Sequence, residues 1–242
     1  MEPEFCHASV VLVGKLTLDD FLPEAMARAK IISQKDSKAA QYLTLLPGAV
    51  IKYKLTWAEI TVEPERLIIT TDRPPYVRIS DLVTKALYEF RTAPVVTAFG
   101  INLECHYRLA DMETRDALGK RLAPPQEWGE WGAKIEEAMH NPGPTHSGMS
   151  LVQMRYRFAD DKLVGWRDVS VGPSPRIEGS GGVLFRTNHH HQSANTTADE
   201  DKHLERQDDK RNGMFLVDAL AERFDASIAE AESIFRGVLG KQ

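Results

Sequence analysis

The stretch from Ile101 to Leu109, "INLECHYRL", alternates without a break. Ile101, Leu103, Cys105, Tyr107 and Leu109 fall on one side, and Asn102, Glu104, His106 and Arg108 on the other. A period of two belongs to a β-strand with one dry and one wet face, the pattern of antiparallel sheets covered on one side only. Such a strand needs neighbours beside it and helices over its apolar face. Both are legible. "SVVLVGKL" is β-rich, and "AVIKYKL", "WAEITVE" and "RLIITTD" follow, the last two joined by "PER" as a hairpin turn. Further on, "MSLVQMRYRFADDKLVGWRDVSV" doubles back at "ADDK", and "GGVLFRTNHHHQ" adds another strand.

Helical spacing appears between these runs. "TLDDFLPEAMARAKII" offers Thr17 as N-cap and Pro23 in the first turn. From Ser80 to Arg91, Leu82, Val83, Ala86, Leu87 and Phe90 share one face. Asp111 caps "DMETRDALGKRL", and Trp128, Trp131, Ile135 and Met139 recur at helical spacing. Near the end, Val217, Ala221, Phe224, Ile228, Ala231, Phe235 and Val238 recur in steps of four and three. A straight helix there would be about 35 Å long at roughly 1.5 Å per residue. Ser227 and Glu230 form a capping-box pattern that predicts a break near Asp225.

The expected class is therefore α+β: antiparallel sheet or sheets in two halves, packed by amphipathic helices, with a long C-terminal helix. The breaker-rich "NPGPTHSG" suggests lobes at 1–144 and 145–242, or one continuous domain, and the polar, charged segment 192–212 reads as a mobile loop.

A net charge of −5 argues against coating nucleic acid or an anionic membrane by bulk electrostatics. No signal segment and no long apolar run is present, so no membrane association and a cytoplasmic protein are expected. Cys6 and Cys105 are read as two buried thiols in preference to a disulfide, and neither belongs to a C-x-x-C pair. "GSGG" at Gly179 to Gly182 precedes a strand, which makes it a turn and not a phosphate cradle, and no cofactor is expected.

Catalytic patterns are weak. "GPSPR" and "SGMS" lack the nucleophile-elbow pattern, and Cys105 and His106 point to opposite sides of their strand. His106 beside Glu104 and Arg108 is read as part of an exposed charge ladder in preference to an acid–base site. His189 and His191 share a face and could meet one metal. A third ligand would have to come from His203, His140, His146 or a carboxylate, so the triplet is read as the wet end of a strand and no metal is expected. A metal-assisted hydrolase built on His189 and His191 is kept as an alternative, and an enzyme is not the preferred reading.

The suggestive surface is basic. In "LVQMRYRF", Val152, Met154, Tyr156 and Phe158 are expected to face the core. Gln153, Arg155 and Arg157 then point outward, with Arg167 and Arg186 beside them and Asp160, Asp161 and Asp168 as balancing charge. Arg155, Arg157 and Arg186 are the candidate partner-binding residues, for an acidic protein partner in preference to nucleic acid, since no exposed aromatics are interleaved for base stacking.

The fragments "FLPEAMARAK", "PPYVRISDLVTKALYEF", "VTAFGINLECHYRL", "RLAPPQEWGEW" and "ERFDASIAEAESIFRGVL" together resemble a sporadically distributed family of uncharacterised bacterial proteins of similar length. The resemblance covers most of the chain through packing positions plus "FGIN" and "RLAP". It implies context and no catalytic residues: accessory loci such as phage-defence, CRISPR-associated or toxin–antitoxin systems. The expectation is a non-catalytic adaptor or regulatory protein working through a protein partner, with the long C-terminal helix or the basic sheet face as interface; a ligand- or nucleic-acid-binding module on the basic sheet face is kept as an alternative.

Overall fold

The computed structural model describes residues 1–90, 95–141, 146–194 and 206–240, the side chains of 206–212 excepted. The strands are β1 (Phe5–Lys15), β2 (Gln41–Leu46), β3 (Val50–Lys54), β4 (Glu59–Glu63), β5 (Arg66–Thr71), β6 (Val95–Arg108), β7 (Val152–Ala159), β8 (Leu163–Pro173) and β9 (Gly182–Ser193). The helices are α1 (Pro23–Arg28), α2 (Gln34–Lys38), α3 (Val77–Glu89), α4 (Met112–Leu122), α5 (Gly129–Ala138) and α6 (Arg206–Leu239). All nine described strands form one sheet in the order β2-β3-β4-β5-β1-β6-β9-β8-β7, and every pairing is antiparallel. The fold is α+β, and strands from both sides of the 142–145 segment lie in the same sheet.

The seam between the two halves is the pairing of β6 with β9, which runs from Ala98↔Gln192 to Arg108↔Gly182. Alternation then sets the faces. Val10 of β1, Ile101 of β6 and His189 of β9 lie in one row on one face, and Ser9, Asn102 and Asn188 in the next row on the other. Helix α6 lies across β6 and β9, and α3 packs beside it over β5 and β1. Their apolar stripes close on Val10, Leu12, Ile69, Ile101, Leu103 and Phe185, all essentially inaccessible to solvent. No described helix lies across the opposite face, and no described helix is long and apolar enough to cross a membrane.

Helix α6 is one uninterrupted element of 34 residues, about 50 Å at roughly 1.5 Å per residue. The expected break near Asp225 does not occur. Ser227 is buried in the seam with Leu216, Leu220, Phe224, Ala231 and Phe235. Burial of an amphipathic stripe outweighs a local capping signal. Ala221, expected inside, is exposed, and Leu220 takes its place.

Three further expectations change. Edge strand β2 was absent from the sequence pattern. Cys6 and Cys105, expected as thiols, are joined as a disulfide, because the β1–β6 register places them opposite each other with Cα atoms 4.1 Å apart. The polar segment predicted as a loop is shorter at both ends, since β9 runs through Ser193 and α6 starts at Arg206. Its central part, 195–205, lies outside the described residues, as does His203.

Candidate functional site

The three arginines singled out in the sequence share the helix-free face. Arg155 of β7 stands opposite Asp168 of β8, and its guanidinium makes two bonds to that carboxylate, Nε to Oδ1 and Nη2 to Oδ2, each 2.6 Å. Asp168 is held below the usual carboxylate range, first by this bond, with burial opposing. The next outward residue of β8, Trp166, carries the guanidinium of Arg155 at 4.8 Å from its ring centroid and that of Arg157 at 6.0 Å. Trp166 also stacks on His190 of β9, centroids 3.9 Å apart. Arg186, further along the face, is bonded through Nε to Glu104 Oε2 at 2.6 Å. Arg157 has no carboxylate partner among the described residues. A half-buried aromatic ring lies among the arginines, and nothing in the alternation of β7 indicated that a tryptophan from β8 would meet them.

Arg167, expected on this face, points the other way. The register pairs it with Tyr156, so it reaches the helix side, where Nη1 bonds Glu230 Oε1 of α6 at 2.9 Å. Asp160 does not balance the arginine face either. It caps the β7–β8 turn through the backbone N–H groups of Lys162 and Leu163, and meets Arg223 at 3.2 Å.

The largest departure concerns β7 itself. Met154 is 74% and Tyr156 62% exposed, although both have the parity expected for the core. Strand β7 is the last in the sheet, and α6 makes its main sheet contacts with β6 and β9. Among the described residues one edge of β7 is therefore unpaired, with Arg155 and Arg157 on one side and Met154 and Tyr156 on the other. An eight-residue edge strand, exposed on both faces from Gln153 to Arg157, can serve as a template for another strand.

The histidine triplet is not a wet strand end. Strand β9 sits between β6 and β8, so His189 and His191 face α6 and are 0% and 1% exposed, while His190 lies on the opposite face. His191 stacks on Phe99 at 4.6 Å and leans on Phe158 at 5.1 Å. Burial drives the His189 imidazole down to about 4, helped by Arg167, and His191 to about 3, helped by Arg223. Both rings are neutral, and none of their nitrogens has a hydrogen-bond partner among the described residues. Among those residues, too, no group of three or more His, Cys, Asp or Glu side chains is placed to hold a metal.

A serine, a histidine and a carboxylate do meet, where the sequence reading saw none. His106 is fully buried; its Nδ1 is 2.7 Å from Ser174 Oγ and its Nε2 3.2 Å from Glu104 Oε1. The order matches a nucleophile, a base and an orienting acid. The serine is spoken for, however: Oγ accepts the backbone N–H groups of Arg176 and Ile177, so its lone pairs close a turn and its proton goes to the imidazole. The expected exposed ladder is thus a buried latch that ties the 173–181 loop to β6. Burial lowers the His106 imidazole despite Glu104 beside it. Burial also works to raise the Glu104 carboxyl, but Arg186, His7 and His106 outweigh it and hold the group below its ordinary value.

No family model and no curated protein matches the chain.

Proposed function

We propose that this chain is a non-catalytic binding protein that takes an extended segment of a partner protein alongside β7. The observation that carries this reading is the edge strand itself. Its backbone groups face outward, Met154 and Tyr156 offer apolar contact on one side, and Arg157 offers a guanidinium without a carboxylate partner among the described residues on the other. Strand addition draws affinity from main-chain hydrogen bonds and specificity from alternate side chains. The complementary segment alternates apolar residues, facing Met154 and Tyr156, with carboxylates facing Arg157. In an accessory locus of the kind suggested by the sequence resemblance, such a receptor would act as an adaptor.

Nucleic acid is the weaker reading. Arg155 and Arg186 are already bonded to carboxylates, and the chain carries a net charge of −5. A hydrolase at His189 and His191 is weaker still, because both rings are sealed beneath α6.

The test compares wild type with Arg157→Glu and Met154→Asp in affinity capture from native lysate, with amide hydrogen exchange on the recovered complex. Loss of the captured protein in both variants at unchanged thermal stability, together with new protection of β7 amides, is expected. Equal capture by all three proteins, or protection elsewhere, would sink the reading.

A further inference from the structure

Where β7 begins, a second exposed apolar feature adjoins it. Trp128 and Trp131 are each 59% exposed and meet edge to face, centroids 5.6 Å apart. In the sequence they share helical spacing with Ile135 and Met139, which alone does not say whether they are covered. Two glycines build this display. Gly129 adopts a left-handed φ of 58° between the turn Pro125–Trp128 and α5, a conformation that favours glycine. Gly132 packs so tightly that an added Cβ would lie 1.8 Å from the Pro125 carbonyl oxygen. The helix is thereby drawn against the turn, with both indoles turned outward.

The indoles form one wall of a groove of about 190 Å³, whose other lining includes Leu151 and Val152. Leu151 is itself 59% exposed. The volume is below the roughly 300–1,000 Å³ of small-molecule sites. It is close to the ~150 Å³ apolar cavity that accepts a benzene ring, so one aromatic side chain fits it. Val152 is also the first residue of β7, so the groove adjoins the end of that strand.

We infer that the groove is an anchor pocket for a single aromatic side chain at one end of the partner segment, an inference that rests on strand addition at β7. The ligand class is therefore an extended peptide alternating apolar and acidic residues and ending in an aromatic residue. Arg157 sets the acidic position beside it, and the paired indoles set the anchor.

The experiment titrates the full chain with two short synthetic peptides alternating valine with aspartate, one ending in phenylalanine and one without it, and separately with N-acetylphenylalaninamide. The phenylalanine peptide is expected to bind about tenfold more tightly, as loss of an aromatic anchor typically costs at least that much. Trp131→Ala should erase this advantage while leaving the affinity of the shorter peptide unchanged. Equal affinities for the two peptides would overturn the anchor and leave strand addition standing. If neither peptide binds, strand addition fails. The pocket then stands only if N-acetylphenylalaninamide shifts the Trp128 and Trp131 indole N–H resonances, and is overturned if it does not.

Discussion

Trp166 lies nearly flat on His190, with ring planes 20° apart and centroids separated by 3.9 Å, on the face of the sheet that carries no described helix. An imidazolium against an indole quenches its fluorescence, so the pair reports its own protonation. Burial is the main influence on His190 and lowers its pKa from the ordinary 6.5. In a protein whose other three tryptophans are replaced by phenylalanine, the Trp166 emission should fall with acid at a midpoint below 6.5. A midpoint at or above that value would mean that the ring is solvated or charge-stabilised.

The pair His189 and His191 should make the fold acid-sensitive. Both imidazoles are neutral in the folded chain down to about 4 and about 3, whereas in the unfolded chain they take up protons near 6.5. Below 6.5 the unfolded state binds more protons, so stability falls as pH falls, by up to about 1.4 kcal/mol per pH unit for each group, and levels off below the folded values. Urea denaturation between pH 7 and pH 4 should show this slope, and His189→Phe with His191→Phe should flatten it. The double variant should also be no less stable at neutral pH, since unpaired buried nitrogens cost about 1–3 kcal/mol each.

That prediction also marks how far the sequence could be read. Alternation located most strands, the hairpin at "PER" and the turn at "ADDK", and it grouped His189 with His191 and Met154 with Tyr156 on shared faces, without saying which face would be buried. His191 and Met154 both lie on the helix side of the sheet, yet one is 1% and the other 74% exposed. The difference is lateral position, β9 in the interior and β7 at the rim, and that order comes from long-range pairing, which a period of two does not encode. The same limit hid the Ser174–His106 contact, whose partners are 68 residues apart. The arginines were found because they stand on one strand or its near neighbours. Trp166 was missed because its role depends on β8 lying against β7.

Ser174 separates a latch from a nucleophile. Ser174→Ala should destabilise the protein by about 1–3 kcal/mol, because it strands the buried His106 Nδ1 and frees two backbone N–H groups. Thermal denaturation measures that loss. A fluorophosphonate probe should leave Ser174 unmodified, and labelling at Ser174 would return the trio to the status of an active site.

Two glycines should respond to alanine with opposite signs. Gly132→Ala drives a methyl group into the Pro125 carbonyl and should cost about 1–3 kcal/mol. Gly237, inside α6 with nothing within 4 Å of the point where an added Cβ would lie, should gain roughly 0.5–1 kcal/mol as alanine. Differential scanning calorimetry of the two variants decides both.

The central place of β1 has a consequence for how the molecule comes into being. Its two partners, β5 and β6, begin only at Arg66 and Val95, and β6 in turn waits for β9. A growing chain thus carries β1, apolar on one face, before either of its partner strands has been made. Contacts of such long sequence separation close slowly and leave unpaired strands exposed meanwhile. Yield in a host should therefore respond to growth temperature and to chaperones that hold nascent strands more than to any change at the rim of the finished sheet.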